Sequence, residues 1–106
     1  MAFIPLDEDR LVNADRGEIL TALFEQLVMQ QTNMALMLLG KIPHPETNES
    51  IYDLEGAKIF VDQLEMLAAK TRGNLNPAEE ELIRKSLAAA QSALIGQLEE
   101  QVGEEE

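Results

Sequence analysis

A regular apolar spacing in the first half of the chain limits the possible folds most strongly. Between residues 20 and 38, large apolar side chains recur at alternating intervals of four and three residues, and only Gln31 interrupts the series. Such spacing places the side chains along one side of an α-helix and is typical of helices that pack as in a coiled coil. This predicted seam consists of Leu20, Phe24, Leu27, Gln31, Met34 and Leu38.

Capping and terminating residues predict where the first two helices begin and end. The first helix, over about 16–39, follows Asp15, a favoured N-cap, and stops at Gly40, which enters the left-handed conformation at little cost. The second, over about 54–72, stops at Gly73. The second helix repeats the apolar spacing with Leu54, Ala57, Val61, Leu64 and Ala68.

A third helix is predicted over about 77–95 or slightly beyond. Asn76 is a favoured N-cap, Pro77 suits the first helical position, and Glu79 has the spacing to reach back to the cap. Gly96 weakens the helix further on. The expected fold is therefore all-α, with three helices.

The distribution of charge and helices divides the chain into three parts. We expect an irregular acidic arm over residues 1–15, a helical domain over residues 16–98, and an acidic, disordered tail over residues 99–106.

Neither nucleic acid nor a membrane is an expected partner. The net charge is −12, from 20 acidic and 8 basic residues, and a phosphate backbone would be repelled because no basic stripe offsets it. The uncharged stretch over residues 26–40 is too short and too polar to cross a bilayer. No signal peptide is recognised and the chain lacks cysteine, so a cytoplasmic protein is expected.

Self-association is expected because the first helix has more apolar surface than one neighbour would cover. Val28, Met29, Ala35, Leu36 and Leu39 lie off the predicted seam. A chain this short gains little net stability from its own core, so we expect a homo-oligomer, with a dimer favoured, that forms through the first helix. Gln31 would then either meet a polar group of the second copy or reach water at the edge of the bundle.

The sequence contains no pattern that indicates catalysis. No serine lies in a nucleophile elbow, and the six glycines form no phosphate-binding loop. The single histidine, His44, and the absence of cysteine make a poor transition-metal site. We therefore predict no catalytic residues, no metal and no cofactor, and the protein is not expected to be an enzyme.

The segment between the first two helices is the most distinctive candidate for a binding loop. Two prolines exclude a helix there and stiffen the loop, so that presenting it to a partner costs little ordering entropy. The interpretation that we favour is a rigid connector whose Ile42 closes the end of the bundle. The candidate residues are Lys41, Ile42, Pro43, His44, Pro45 and Glu46.

Two short strings resemble a small bacterial family known as domain of unknown function 1844. They are Leu39-Gly-Lys-Ile-Pro-His-Pro-Glu-Thr47 and Lys70-Thr-Arg-Gly-Asn-Leu75, and the resemblance extends over about residues 20–87. It implies a bacterial source and a helical domain. It implies no activity, so no functional residue can be transferred from it.

Two functions of different classes are compatible with these observations. The leading hypothesis is a non-enzymatic, self-associating helical protein that acts through protein–protein interaction. The alternative is a small-molecule or metal-binding module centred on the loop that contains His44.

Overall fold

The computed structural model describes the backbone of residues 15–105 and the side chains of residues 15–100. Within that range the chain forms three α-helices, α1 (Arg16–Leu38), α2 (Leu54–Lys70) and α3 (Pro77–Glu105), which all pack against one another. The predicted all-α, three-helix fold is confirmed. No helix in the described range is both long and apolar enough to cross a bilayer.

Local side-chain contacts begin α1 and α3 where the sequence predicts. At α1, the Glu18 N–H donates to Asp15 Oδ1 over 2.7 Å. At α3, Asn76 and Glu79 cap each other reciprocally, since each backbone N–H donates to the other side chain over 2.8 Å. Two donors that a helix start would leave unpaired are thereby satisfied, as in a capping box.

Gly40 ends α1 in a left-handed turn. Its φ is +72°, its N–H donates to the Met37 carbonyl over 3.1 Å, and the next N–H, of Lys41, donates to the Leu36 carbonyl over 2.9 Å. This pair of bonds is the Schellman motif, which needs a residue that tolerates positive φ. The loop that follows is non-helical as predicted.

The helix α3 extends about ten residues beyond the predicted end near residue 95. Gly96 costs on the order of 1 kcal/mol in a helix interior, but the leucine, glutamine and glutamate residues around it are good helix formers. Residues 99–105, assigned above to the tail, are included in α3, and the division of the chain into three parts stays a prediction. The predicted acidic arm lies outside the described residues except for Asp15.

The core lies where the three helices meet. It consists of Val28, Ala35, Val61, Leu64, Ile83 and Ala90, with Phe24 and Phe60 among the partly buried side chains packed against it. Three fully buried alanines, Ala35, Ala57 and Ala90, allow the helices to approach closely, because no longer side chain separates the backbones.

The helices α1 and α2 run antiparallel in a register that two contacts define. Gln31 Nε2 donates to Gln63 Oε1 over 2.7 Å. Seven residues further along α1 and seven residues back along α2, the Leu38 side chain lies beside Gly56, so close that a Cβ there would be 3.1 Å from Leu38 Cδ1. The register is therefore constant over two helical turns.

Candidate interaction surface

The predicted seam is not the core face of α1. The buried stripe on this helix is Val28, Thr32, Ala35 and Leu39. Three seam residues, Leu20, Leu27 and Met34, leave 36–50% of their surface exposed. The other seam residues, Phe24, Gln31 and Leu38, are partly buried at the edge of the core.

Gln31 has a hydrogen-bond partner that was not predicted from the sequence. Its amide donates to Gln63 on α2 of the same chain, and the contact is partly buried. Gln31 therefore needs neither water nor a second copy for its first hydrogen bond. The sequence offers no local signal for this pairing, because the two glutamines are 32 residues apart.

Exposed apolar side chains flank both members of this pair at the same offsets. On α1, Leu27 lies four residues before Gln31 and Met34 three residues after it. On α2, Ile59 and Met66 stand at the same two offsets from Gln63 and are about half exposed. The α2 residues were not predicted, because the apolar series recognised in the sequence of this helix lies on its buried side.

These side chains share one surface of the α1–α2 pair. On each helix, offsets of −4 and +3 rotate in the same direction about the axis, away from the buried stripe and past the contact between the glutamines. The side of the pair that meets α3 is the core side, and within residues 15–100 no other helix covers the opposite side. We call this surface the α1–α2 face. Its apolar members are Leu20, Leu23, Leu27, Met34, Ile59 and Met66.

The α1–α2 face is weakly charged despite the net charge of the chain. The stretch of α1 between residues 26 and 38 contains no charged residue. Two acids of α1, Glu18 and Glu25, instead line an open cleft of about 570 Å³ beside Asn76, at the start of α3. On α2, Lys58 and Asp62 pair with each other over 2.7 Å. Between residues 26 and 38 the α1 part of the face is thus uncharged, whereas Asp62 on α2 lies one helical turn from Ile59 and Met66 and is paired with Lys58.

The candidate loop is held by its own hydrogen bonds. The His44 N–H donates to the Glu49 carbonyl over 2.9 Å, and the Asn48 N–H donates to the His44 carbonyl over 2.8 Å, where Asn48 adopts a positive φ of 59°. Ile42 and His44 are partly buried, and the remaining candidates are exposed: Lys41, Pro43, Pro45 and Glu46. The loop is ordered, which fits both a presented binding loop and a connector.

The His44 ring takes part in this internal network. Its Nδ1 accepts a hydrogen bond from the Glu46 N–H over 3.1 Å, so this nitrogen has a backbone partner. Among the side chains described, no three of His, Asp and Glu lie close enough together to hold a metal ion.

Two exposed ion pairs within helices, one on α3 and one on α2, shift the pKa values of their members. Hydrogen bonds from Arg84, and next from Lys85, hold the pKa of Glu81 below its ordinary value. The hydrogen bond and charge of Asp62 raise the pKa of Lys58. Each pair is exposed to solvent and lies within a single helix. Such an arrangement is typical of structural ion pairs and not of a catalytic acid or base.

Residues 21–96 match the family described as Domain of unknown function (DUF1844). No match was found among curated proteins or among solved structures.

Proposed function

Because the chain belongs to the DUF1844 family, whose description assigns no activity, we propose a function from the geometry: a non-enzymatic helical protein that self-associates through α1 and acts by protein–protein interaction. The observation that supports it is the α1–α2 face. Three residues of the predicted seam, Leu20, Leu27 and Met34, are exposed there after the chain has completed its own core.

The size of this face supports an interaction site. Six large apolar side chains, each about half exposed, present on the order of 500 Å² of contiguous apolar surface, which is within the range of functional patches on soluble proteins. A standard interface buries about 800 Å² on each partner, so the face with its polar rim is large enough for one.

The alternative centred on His44 gains no specific observation. The ring nitrogen Nδ1 accepts a hydrogen bond from the backbone of its own loop, and the open cleft lies near the start of α1 and is not lined by loop residues. The absence of cysteine agrees with the expected cytoplasmic setting, which stays part of this proposal.

The mass of the protein in solution tests the proposal. Light scattering coupled to gel filtration, over a wide concentration range, is expected to give a multiple of the chain mass for the wild type. Leu27→Glu is expected to give the monomer, because the new carboxylate would be desolvated in the interface. Met29→Glu is the matched control, since Met29 is 45% exposed against 41% for Leu27 but lies on the opposite side of the same helix.

Two results would contradict the proposal. One is a wild type that stays monomeric over the whole concentration range. The other is an equal loss of mass in the Leu27→Glu and Met29→Glu variants, which would show that self-association does not depend specifically on the α1–α2 face.

A further inference from the structure

We infer that two copies join their α1–α2 faces in a four-helix bundle in which α1 of each copy packs against α2 of the other. This inference rests on the proposed self-association and specifies its geometry. It differs from the arrangement that the seam alone suggests, in which α1 would pack against α1.

The hydrogen bond between Gln31 and Gln63 is half of a larger network. It uses one N–H of Gln31 and the carbonyl oxygen of Gln63. In the described part of the chain, Gln31 Oε1 has no donor and Gln63 Nε2 has no acceptor. A primary amide has two N–H donors and an acceptor oxygen, so each pair keeps the oxygen and one N–H of Gln31 on α1 and both N–H groups of Gln63 on α2.

These unused groups are complementary under a two-fold axis parallel to the helices. If α1 faced α1 of the second copy instead, α2 would face α2, and the charged pair of Lys58 and Asp62 would meet its own copy. If the two-fold axis runs parallel to the helices, Gln31 faces Gln63 of the second copy. Four amides then close a ring in which bonds within a copy alternate with bonds between copies. All neighbouring helices of the bundle are antiparallel, which also aligns their dipoles favourably.

The helix register places an apolar layer on each side of this ring. The two contacts that define the register put Leu27 within one residue of the level of Met66, and Met34 within one residue of the level of Ile59. In the bundle, each layer would contain both of its residues from each copy. A polar layer between two apolar layers is the arrangement that fixes register and copy number in helical assemblies, since any shift leaves buried amides unpaired.

Area and charge also favour a second copy as the occupant. On the order of 500 Å² of apolar surface on each copy, with the rim, approaches the area of a standard dimer interface. The chain carries a net charge of −12, yet residues 26–38 of α1 are uncharged, so α1 of one copy can face the Lys58–Asp62 pair on α2 of the other without placing like charges opposite each other.

Cysteine cross-linking tests the arrangement without background, because the chain has no cysteine of its own. A mixture of Leu27→Cys and Met66→Cys chains is expected to form an intermolecular disulfide under mild oxidation. Neither variant alone should do so, since its two copies lie diagonally across the bundle. A disulfide needs Cα atoms about 4.4–6.8 Å apart, which only facing helices provide.

A second mixture identifies the competing arrangement. Leu27→Cys with Met34→Cys would cross-link if α1 packed antiparallel against α1 about the level of Gln31, and that result would overturn the inference. Failure of the Leu27 and Met66 mixture to cross-link would also overturn it. If the wild type is nevertheless dimeric, self-association stands and only the geometry is wrong; if the wild type is monomeric, both proposals fail.

Gln63→Glu tests the amide ring itself. Glutamate keeps the oxygen that accepts from Gln31 within the chain, so the monomer is expected to fold, as circular dichroism would show. The substitution removes the donor to the second copy and adds a desolvated charge, so the dissociation constant of the dimer is expected to rise about 100-fold or more. An unchanged dissociation constant would refute the ring.

Discussion

Gly40 is the position at which one added methyl group should reveal most about the fold. Its φ of +72° lies in the left-handed region, and the ring of Tyr52 packs over it. A Cβ at this position would be 2.6 Å from Tyr52 Cζ and 2.9 Å from Oη. Gly40→Ala therefore meets both backbone strain and a steric clash.

Gly73 separates these two contributions. It has a similar φ of +81°, but no atom lies within 4 Å of the place where its Cβ would be. Gly73→Ala should cost the left-handed strain alone, about 1–2 kcal/mol. Gly40→Ala adds overpacking of ~1 kcal/mol, near the lower end of the usual range, because Tyr52 is 63% exposed and its ring can move outward.

Thermal unfolding followed by circular dichroism at one fixed protein concentration measures the difference. A loss of about 1 kcal/mol lowers the Tm of a domain of this size by roughly 4–8 °C, so Gly40→Ala should melt about that much below Gly73→Ala. In a Tyr52→Ala background, the added cost of Gly40→Ala should fall to that of Gly73→Ala. Equal Tm values for the two single variants would refute the packing of Tyr52 on Gly40.

Three further changes test other parts of the structure. Asn76→Ala removes the acceptor for the Glu79 N–H and should lower the free energy of unfolding in urea by about 1 kcal/mol; an unchanged midpoint would mean that the cap is misplaced. Gly96→Ala should increase the free energy of unfolding by about 0.5–1 kcal/mol and so raise the Tm, since its Cβ would meet no atom within 4 Å. A lower Tm would argue against a helix there. The hydrogen bond from Arg84 lowers the pKa of Glu81, so its contribution is complete above the unfolded-state pKa and lost as the pH falls through the folded-state pKa. Wild type should then exceed Glu81→Gln slightly in stability at neutral pH and lose that advantage in acid; a pH-independent difference would contradict the pairing.

The helix starts and the end of α1 could be read from the sequence because their causes are local. Asp15 and Asn76 each accept a hydrogen bond from the residue three positions later, and Gly40 turns the chain by its own backbone freedom. Such interactions need no distant partner, so the residue types and their spacing are sufficient to predict them. The end of α3 was less predictable, because Gly96 weakens a helix by too little to end it.

The buried side of α2 was also predictable, whereas that of α1 was not. The apolar spacing of α2 identified Ala57, Val61 and Leu64, which are buried. On α1 two stripes have spacings that fit one helical side, and the larger side chains favour the seam, yet the structure buries the stripe of Val28, Thr32, Ala35 and Leu39. Helical periodicity shows that a stripe exists and cannot choose between two that compete.

Three capped helices follow from the amino-acid sequence alone, because capping, turn chemistry and helical periodicity act within a few residues. Which apolar side chains remain outside depends instead on how the helices pack against one another. Small residues such as Ala35 and Ala90 are buried because they allow close helix contact, and that closeness leaves Leu27 and Met34 on the surface. The pairing of Gln31 with Gln63, and with it the proposed binding face, arises from the packing of helices that are distant in sequence.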